Sequence, residues 1–393
     1  MITVNGRAYR VPSAPALVVC IDGCDPEYVW DAFDRGLAPH VREMGERGSV
    51  LVGRSQIPSF TNPNNLSIVC GVPPAVHGIP GNHYLAESGE EVQLTDPALL
   101  RAPSLHAEFA AAGVPVLAVT TKHKLASLLG RGDVPCWSVE GAGSQTFAGR
   151  PVESVVGAPA PGIYDWEASP YALRLGRELG RLLDARLVYV SLTDYVQHAE
   201  PPGGPMSDAY WRRLDEEVAR CLELGWTVGL VADHGMNDKA LVDGRPNVRY
   251  LDDVLSRAGV SRARTVLPIT DPYVVHHGAL GSACWVHVSS EPDRAAATAV
   301  LSGLDGVEEV VERSAAAERF ALPPDRIGDL LVLADAGTVL GTAAGAHDLS
   351  GLRGRLRSHG GLHEREVPLI LSRRVTVDGP VSNADAHDLL LNG

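Results

Sequence analysis

Residues 227–238 read TVGLVADHGMND. The apolar run at 228–231 is typical of a strand buried on both faces, and the chain must turn at Asp233-His234, just before a glycine. In open α/β sheets, ligands collect outside the carboxyl ends of the strands, so a site is expected here. Taken alone, the pair is explained equally well by Asp233 capping the next turn and His234 being a hydrogen-bonded loop histidine.

Two further apolar runs, at 16–21 and 187–192, also end in an acid. Asp22 follows the first run and Asp194 follows the second, with His198 four positions later. On a helical turn this spacing brings Asp194 and His198 to one face, where they could share a metal, although the spacing by itself is a weak signal. The next acid after Asp22 precedes a proline and is interpreted as a helix N-cap rather than a ligand.

The length of 393 residues exceeds what one hydrophobic core usually supports, so we expect two lobes. Hydrophobic residues make up 45% and charged residues 21%, as in ordinary globular enzymes. The net charge of −14 disfavours binding to nucleic acids and acidic membranes, so an anionic ligand should be small. No signal peptide or apolar run of membrane-spanning length is visible, and six scattered cysteines resemble reduced thiols. We therefore expect a cytoplasmic protein, which could form a homodimer.

Polar side chains at two other places could serve an anionic substrate. Thr61 lies in PSFTNPNN, at the expected start of a helix, and is either a cap or a nucleophile, since a helix N-terminus favours a bound anion. Asn82 lies in a turn-rich loop, HGIPGN. Lys122 and Lys124 follow an apolar run at 114–120; such a pair is usually solvated, but in an acidic protein it could receive a small dianion.

The region 239–355 reads as a separate α/β insert, with strands near 283–289, 307–312 and 328–334 and helices near 291–303 and 314–320. The main sheet resumes after the segment SHGGLH, which ends at His363. The predicted organisation is a core of residues 1–238 and 356–393 with a cap insert of residues 239–355.

The three strand-end acids and three histidines together favour a two-metal site. Their oxygen and nitrogen donors suit paired zinc ions, and no thiolate is required. The six predicted ligands are Asp22, Asp194, His198, Asp233, His234 and His363.

This ordered set of motifs resembles the alkaline phosphatase superfamily, and within it the phosphonoacetate hydrolases and their phosphodiesterase relatives. The motifs are VVCIDG, PSFTNPNN, HGIPGN, DYVQH, ADHGM and GLHE, and they span nearly the whole chain. The resemblance implies an α/β/α sandwich with a mostly parallel central sheet and a smaller α/β cap insert.

The resemblance also implies two Zn²⁺ per chain and a phosphothreonine intermediate. Asp194, His198 and His363 would hold one ion, and Asp22, Asp233 and His234 the other, with Thr61 as the nucleophile on the second ion. The narrower resemblance to phosphonoacetate hydrolase depends on the motifs TTKHK and GNH. It implies that Asn82, Lys122 and Lys124, which lie in these motifs, would contact a small phosphonate substrate. The enzyme would cleave the P–C bond of phosphonoacetate to give acetate and phosphate.

Three alternatives stay open. A nucleotide pyrophosphatase/phosphodiesterase-type enzyme would use the same metals on P–O bonds and would need an aromatic slot, for which Phe60, Tyr84 and Trp137 are candidates. A phosphoglycerate mutase-like isomerase usually carries a serine nucleophile and manganese. A non-catalytic metal protein would not need the threonine.

Overall fold

The main sheet contains seven strands within residues 1–393 apart from 87, 261, 274, 276 and 353, the part of the chain that the computed structural model describes. From edge to edge these are Ser49–Arg54, Glu366–Leu371, Thr227–Val231, Ala16–Cys20, Leu187–Ser191, Val116–Thr120 and Cys136–Ser138. The neighbours from Thr227–Val231 to Cys136–Ser138 run parallel, whereas the first two strands pair antiparallel at one edge. The predicted mostly parallel central sheet is confirmed.

The three strands that end in acids lie next to one another and end at the same level. Cys20 pairs with Val231 on one side and with Ser191 on the other. Every residue of these strands is buried except Thr227, which is half-buried, in agreement with their continuous apolar runs. The side chains that follow the three strands therefore meet at one edge of the sheet.

Helices cover both faces of the sheet. Consecutive side chains of a strand point to opposite faces, and Tyr189 contacts the rings of His106 and His387 while Val190 faces Gly176. A Cβ on Gly176 would lie 2.6 Å from Val190 Cγ2, so glycine permits this close packing of helix on strand. The helices outside the insert are Pro26–Asp34, Pro39–Arg47, Thr61–Cys70, Pro74–His77, Leu105–Ala111, His123–Leu129, Glu153–Val156, Ala168–Leu182, Tyr195–Ala199, Pro205–Glu223 and Ala386–Asn392.

A second, antiparallel sheet lies wholly within the predicted insert, and the described residues give it four strands. Their order is Arg264–Val266, Ala283–His287, Leu330–Ala334 and Val307–Glu312. The helices of this region are Leu251–Arg257, Glu291–Ser302 and Arg313–Phe320, and they share a separate apolar cluster with the sheet. The three strands and two helices predicted here are present; the division of the chain at 238/239 and 355/356 stays a prediction.

Short strand pairs complete the structure. They are Ile2–Val4 with Arg7–Tyr9, His83–Leu85 with Glu91–Gln93, Thr146–Phe147 with Arg150–Pro151, Asn237–Asp238 with Arg357–Ser358, and Val248–Tyr250 with Val339–Gly341. In the described part of the chain, no helix combines the length and apolar character needed to cross a bilayer.

Candidate metal centre and phosphoryl site

The three strand-end carboxylates meet as the sheet register requires. Asp22 and Asp233 are fully buried and Asp194 is 3% exposed. Asp194 Oδ2 lies 3.2 Å from His198 Nε2, because Asp194 is at the N-cap position of the short helix Tyr195–Ala199, which contains His198. Asp25, by contrast, accepts a hydrogen bond from the amide of Glu27 at 2.8 Å and caps the next helix, as its position before a proline predicts.

Backbone carbonyls orient three buried histidines toward these acids. The Nδ1 atoms of His198, His234 and His359 each lie 2.8 Å from a backbone carbonyl, those of Arg357, Gly235 and Ser59. A carbonyl can only accept, so in the neutral form of each imidazole Nδ1 carries the proton and Nε2 keeps its lone pair. Each imidazole therefore presents the atom that binds a cation.

The structure places His359 in the cluster and His363 outside it, which corrects the prediction for His363. His359 is buried and its ring stacks on His234 with centroids 3.6 Å apart. The His363 side chain is 40% exposed, and its Nε2 lies 2.6 Å from Glu308 of the insert. The short 3₁₀ turn Leu362–Glu364 directs His363 outward. The two histidines share one loop, and nothing in their spacing distinguished them.

Two overlapping groups of side chains could hold a cation. One comprises Asp194, His198 and His359, and the other comprises Asp22, Asp194 and His234; in each group the donor atoms lie within 4.8 Å of one another. Asp233 was predicted as a ligand and lies next to the second group, with Oδ2 3.9 Å from His234 Nε2. It accepts hydrogen bonds from Asn65 Nδ2 at 2.9 Å and from the amide of His234 at 3.0 Å.

Asp22 provides the clearest test of whether a cation fits. Neither of its oxygens has a hydrogen-bond partner among the described residues, and both are buried. A buried carboxylate without hydrogen bonds is costly, even with His234 Nε2 3.2 Å from Oδ1 and Lys122 Nζ 3.5 Å from Oδ2, and coordination to a cation relieves that cost. The donor set of carboxylate oxygens and imidazole nitrogens suits divalent zinc, so the residues present fit the predicted metals.

The electrostatics of the cluster indicate a deficit of positive charge. Burial, together with the negative charge of Asp22, raises the pKa of Asp233 to about 8. Burial alone would lower the pKa of His234, but Asp233 and Asp22 outweigh it and raise that pKa to about 9. Burial and the neighbouring imidazoles of His234 and His198 hold the pKa of His359 well below its usual value. A neutral His359 beside crowded carboxylates is suited to binding a cation.

Thr61 lies at the edge of this cluster. It is the first residue of the helix Thr61–Cys70, and Phe60 is the residue at the cap position, so the interpretation of Thr61 as the cap is wrong. Its Oγ1 lies 3.4 Å from His234 Nε2. The side chain of Asn65, one turn later, donates to both Thr61 O at 3.0 Å and Asp233 Oδ2 at 2.9 Å. The start of this helix is thereby fixed against the acids.

Of the predicted substrate contacts, Asn82 and Lys122 are buried and Lys124 is half-buried. Lys122 Nζ lies 2.8 Å from Asp194 Oδ1 and 3.5 Å from Asp22 Oδ2, and these acids outweigh burial to raise its pKa well above the usual value. Asn82 donates to the carbonyl of Ile269 at 2.8 Å, which leaves its buried Oδ1 without a partner among the described residues. Asn82, Lys122 and Thr61 line one small cavity with Asp194 and His359.

Comparison with known proteins identifies the family. A family model described as type I phosphodiesterase / nucleotide pyrophosphatase matches residues 16–362, a segment that includes the whole cluster from Asp22 to His359. The chain belongs to this family.

Two solved structures extend the match to a narrower group. Phosphonoacetate hydrolase from Sinorhizobium meliloti 1021, in complex with phosphonoformate or with phosphonoacetate, is 42% identical to this family member with a TM-score of 0.95; the match covers 100% of this chain and 98% of that chain. The predicted resemblance to phosphonoacetate hydrolases is confirmed. The chain is an enzyme of the alkaline phosphatase superfamily, a hydrolase, as predicted.

More distant members of the type I phosphodiesterase / nucleotide pyrophosphatase family share the fold. Murine ectonucleotide pyrophosphatase / phosphodiesterase 5 is 15% identical with a TM-score of 0.66, and the match covers 96% of this chain and 94% of that one. The human protein of the same name is also 15% identical, with a TM-score of 0.64.

The aromatic slot considered for a nucleotide-cleaving family member is only partly present at the cavity. Phe60 lines it and packs edge-on against His359. The ring of Tyr84 instead lies 5.4 Å from the guanidinium of Arg326, and Trp137 packs edge-on against Phe147. Two of the three predicted aromatic walls are therefore engaged elsewhere.

Three further cavity residues come from the insert and were missed by the sequence analysis: Ile269, Asp271 and His277. The segment DPYVVHHG at 271–278 combines an acid, an aromatic residue and two histidines, a composition that could have drawn attention to it. Assigning the region to a separate lobe hid its proximity to the site.

Proposed function

We propose that this protein hydrolyses the P–C bond of phosphonoacetate to acetate and phosphate through a phosphothreonine at Thr61. The observation that carries this proposal is one buried cavity in which the Thr61 hydroxyl adjoins the Asp/His cluster while Lys122 and Asn82 lie on the same walls. A substrate with a phosphoryl group at one end and a carboxylate at the other fits this cavity. The phosphoryl group would lie at Thr61 and the Asp/His cluster, and the carboxylate at Lys122 and Asn82. The likeness to the Sinorhizobium meliloti enzyme supports the same choice.

The two groups of ligands define where cations would bind. Asp194, His198 and His359 would hold one zinc ion, and Asp22, His234 and Asp233 the other, beside Thr61. When bound, such ions supply Lewis-acid stabilisation of negative charge on phosphoryl oxygens. The fixed Nδ1 hydrogen bonds of the three histidines keep the ligand atoms in place.

Thr61 supplies the nucleophile. Its oxygen forms a bond to phosphorus as the P–C bond breaks, and the electron pair of that bond passes into the adjacent carboxylate group. Protonation of the methylene carbon then gives acetate. Water hydrolyses the phosphothreonine, which releases phosphate and restores the hydroxyl.

Lys122 and Lys124 make carbon a feasible leaving group. As the P–C bond breaks, negative charge accumulates on the substrate carboxylate, and ammonium groups placed there beforehand stabilise it. Both side chains are less than a tenth exposed, so their charges act with little screening by water. Asn82 Oδ1 is a buried polar atom at this wall with no hydrogen-bond partner in the described part of the chain.

The test is a comparison of substrates on zinc-loaded protein, with phosphate followed by phosphorus NMR and acetate by proton NMR. We expect phosphonoacetate to give equal amounts of phosphate and acetate, and a nitrophenyl ester of a nucleotide to be cleaved much more slowly. The opposite order would favour a phosphodiesterase acting on P–O bonds, the second candidate, which the match to the family model supports. Release of little free phosphate would instead indicate an isomerase.

The covalent route is tested separately at Thr61. Thr61→Ala should lower turnover by about a thousandfold or more, because no hydroxyl remains to attack phosphorus. Thr61→Ser, the matched control, keeps a hydroxyl and should retain measurable activity. An alanine variant with activity near that of the unchanged protein would exclude the phosphothreonine.

A further inference from the structure

A segment of the insert, residues 268–273, is seated directly on the predicted substrate contacts. The amide of Asn82 donates to the carbonyl of Pro268 at 2.8 Å, and the side chain of Asn82 donates to the carbonyl of Ile269 at 2.8 Å. A Cβ on Gly81 would lie 2.5 Å from Pro268 Cβ, so the loop and the segment are in close contact. The insert thus forms part of the wall of the cavity.

The same segment forms a ring of hydrogen bonds and ion pairs with the start of the helix His123–Leu129. Lys124 forms an ion pair with Asp271, whose Oδ1 accepts from the amide of Tyr273 at 2.7 Å. The hydroxyl of Tyr273 donates to Glu140 Oε2 at 2.6 Å, and the same oxygen accepts from the amide of His123 at 2.8 Å. His123 is the chain neighbour of Lys124, so the ring is closed.

The ring contacts both lysines: Lys124 is paired with Asp271, whereas Lys122 donates to Asp194 and contacts the ring only through Tyr273. The centroid of the Tyr273 ring lies 5.9 Å from Lys122 Nζ and 5.6 Å from Lys124 Nζ, within range of a cation–π interaction. An ammonium has three N–H groups, and the ion pair with Asp271 uses one of those on Lys124. Asp271 is fixed by the Tyr273 amide, so it is a permanent partner rather than a mobile stand-in for substrate.

Stability alone does not account for this arrangement. The side chains of Lys124 and Asp271 are 9% and 10% exposed, and a buried ion pair is weak evidence for a stabilising role because desolvation opposes it. Another ion pair between the insert and the rest of the chain, Arg101 with Asp325, is 38% and 53% exposed and lies at the surface. The buried pair adjoins the cavity, which Asp271 also lines.

We propose that Asp271, Tyr273 and Glu140 are positioning residues that fix Lys122 and Lys124 for the carboxylate of the substrate, so that this subsite is complete only when residues 268–273 are seated. The inference rests on the proposed function, since it assigns the lysines to a carboxylate. Burial lowers the pKa of Lys124 and the negative charge of Asp271 opposes that shift, so Asp271 also helps Lys124 to stay charged.

The experiment compares two probes by calorimetry on zinc-loaded protein. Phosphonoformate carries both a phosphoryl group and a carboxylate, whereas inorganic phosphate carries only the first. Asp271→Asn and Tyr273→Phe keep the side-chain shape but remove one partner of the ring each. We expect Asp271→Asn to weaken phosphonoformate binding by about tenfold or more, because Lys124 loses its ion pair, and Tyr273→Phe by about threefold, because the lost bond to Glu140 does not involve a lysine directly. Phosphate binding should change by less than about twofold.

Two further variants separate positioning from general damage to the structure. Asp325→Asn makes the same chemical change in the exposed ion pair and should leave both affinities unchanged. Asp271→Glu keeps the charge and should restore part of the phosphonoformate affinity. Equal loss of affinity for both probes in Asp271→Asn, or no loss for either, would overturn the inference.

The same measurements distinguish failure of the inference from failure of the proposed function. If the unchanged protein binds phosphonoformate no better than phosphate, the carboxylate subsite does not exist and the inference is wrong. If it shows the expected preference and the expected losses in the variants, but releases no acetate from phosphonoacetate, the positioning ring stands and the proposed reaction is wrong.

Discussion

Two loops bring histidines into the same cluster, and they are positioned in different ways. His234 follows directly on the parallel strand Thr227–Val231, so the register of that strand against Ala16–Cys20 fixes it beside Asp22. His359 lies in the loop that leads to the antiparallel strand Glu366–Leu371, and the strand does not dictate where the loop runs. The position of a residue directly after a strand follows from the sheet, whereas that of a residue in a connecting loop depends on contacts with distant segments.

Contacts with Ser59 and Phe60 set the path of the second loop. His359 Nδ1 donates to the carbonyl of Ser59, and the amide of Gly360 lies 3.1 Å from Ser59 Oγ. Gly360 has φ +122°, and a Cβ there would lie 2.3 Å from the ring of Phe60. Only glycine fits at this position, and the backbone turns His359 inward and His363 outward.

A buried ion pair stabilises this second loop, which contains His359. Glu364 and Lys239 are fully buried and lie 2.8 Å apart, and Glu364 also accepts from the amide of Gly361 at 2.9 Å and from Asn237 at 2.7 Å. Glu364, the acid of the GLHE motif, therefore stabilises the loop rather than binding a cation. In the first loop, the side chain of Asn65 donates a hydrogen bond to Asp233.

The largest expected effect contrasts the two histidines of the second loop. His359→Ala should lower activity by about a thousandfold or more, since loss of a ligand exceeds the 10–100-fold typical of supporting residues, and should reduce the bound zinc. His363→Ala should change activity by less than about threefold, because its side chain meets Glu308 at the surface. Kinetics with metal analysis of both variants checks this. A severe loss in His363→Ala with normal His359→Ala would restore the original assignment.

The next effect concerns the support of the second loop. Glu364→Leu leaves Lys239 buried and unpaired, so we expect the free energy of unfolding to fall by about 3–5 kcal/mol. The double variant Glu364→Leu with Lys239→Met removes both charges and should recover most of that loss. Urea unfolding of the two proteins measures the difference. Equal destabilisation of the single and double variants would show that the pair is not coupled.

A smaller effect is expected at the support of the first loop. Asn65→Leu removes the donor to Asp233, so the affinity of the protein for zinc should fall by about 10–100-fold, as for other residues that orient ligands. Tyr189→Phe removes only the hydroxyl that donates to Asn65 Oδ1 at 2.7 Å, and should have a weaker effect. Competition with a chelator measures both. Unchanged affinity in Asn65→Leu would mean that the sheet alone fixes Asp233.

The last expected effect needs no variant: the stability of the metal-free protein should depend on pH. The pKa of Asp233 rises from 3.8 to about 8 and that of His234 from 6.5 to about 9, so between these values the folded state holds protons that the unfolded state has lost. Stability should therefore fall as pH rises, by about 1.4 kcal/mol per pH unit for each proton. Bound zinc replaces those protons, so the gap in Tm between loaded and chelator-treated protein should widen between about pH 5 and about pH 8. A gap that narrows would contradict the sign.

The strand-end acids were predictable because apolar runs and their abrupt ends are local features. The buried strands, the Asp194–His198 turn and the Asp25 cap all depend on residues within a few positions of one another. Of the two roles left open for Thr61, the cap is excluded because the backbone places Phe60 at the cap position, a detail of dihedral angles that residue type alone does not fix.

The sequence alone determined the class of fold, the edge of the sheet where the Asp/His cluster lies and most of the residues gathered there. Tertiary structure alone decided which histidine of the SHGGLH segment turns inward and that residues 268–273 of the insert form one wall of the cavity. The physical reason is the range of the contacts: alternation and capping act between neighbours in the chain, whereas the hydrogen bonds from His359 to Ser59 and from Asn82 to Ile269 join segments that only folding brings together.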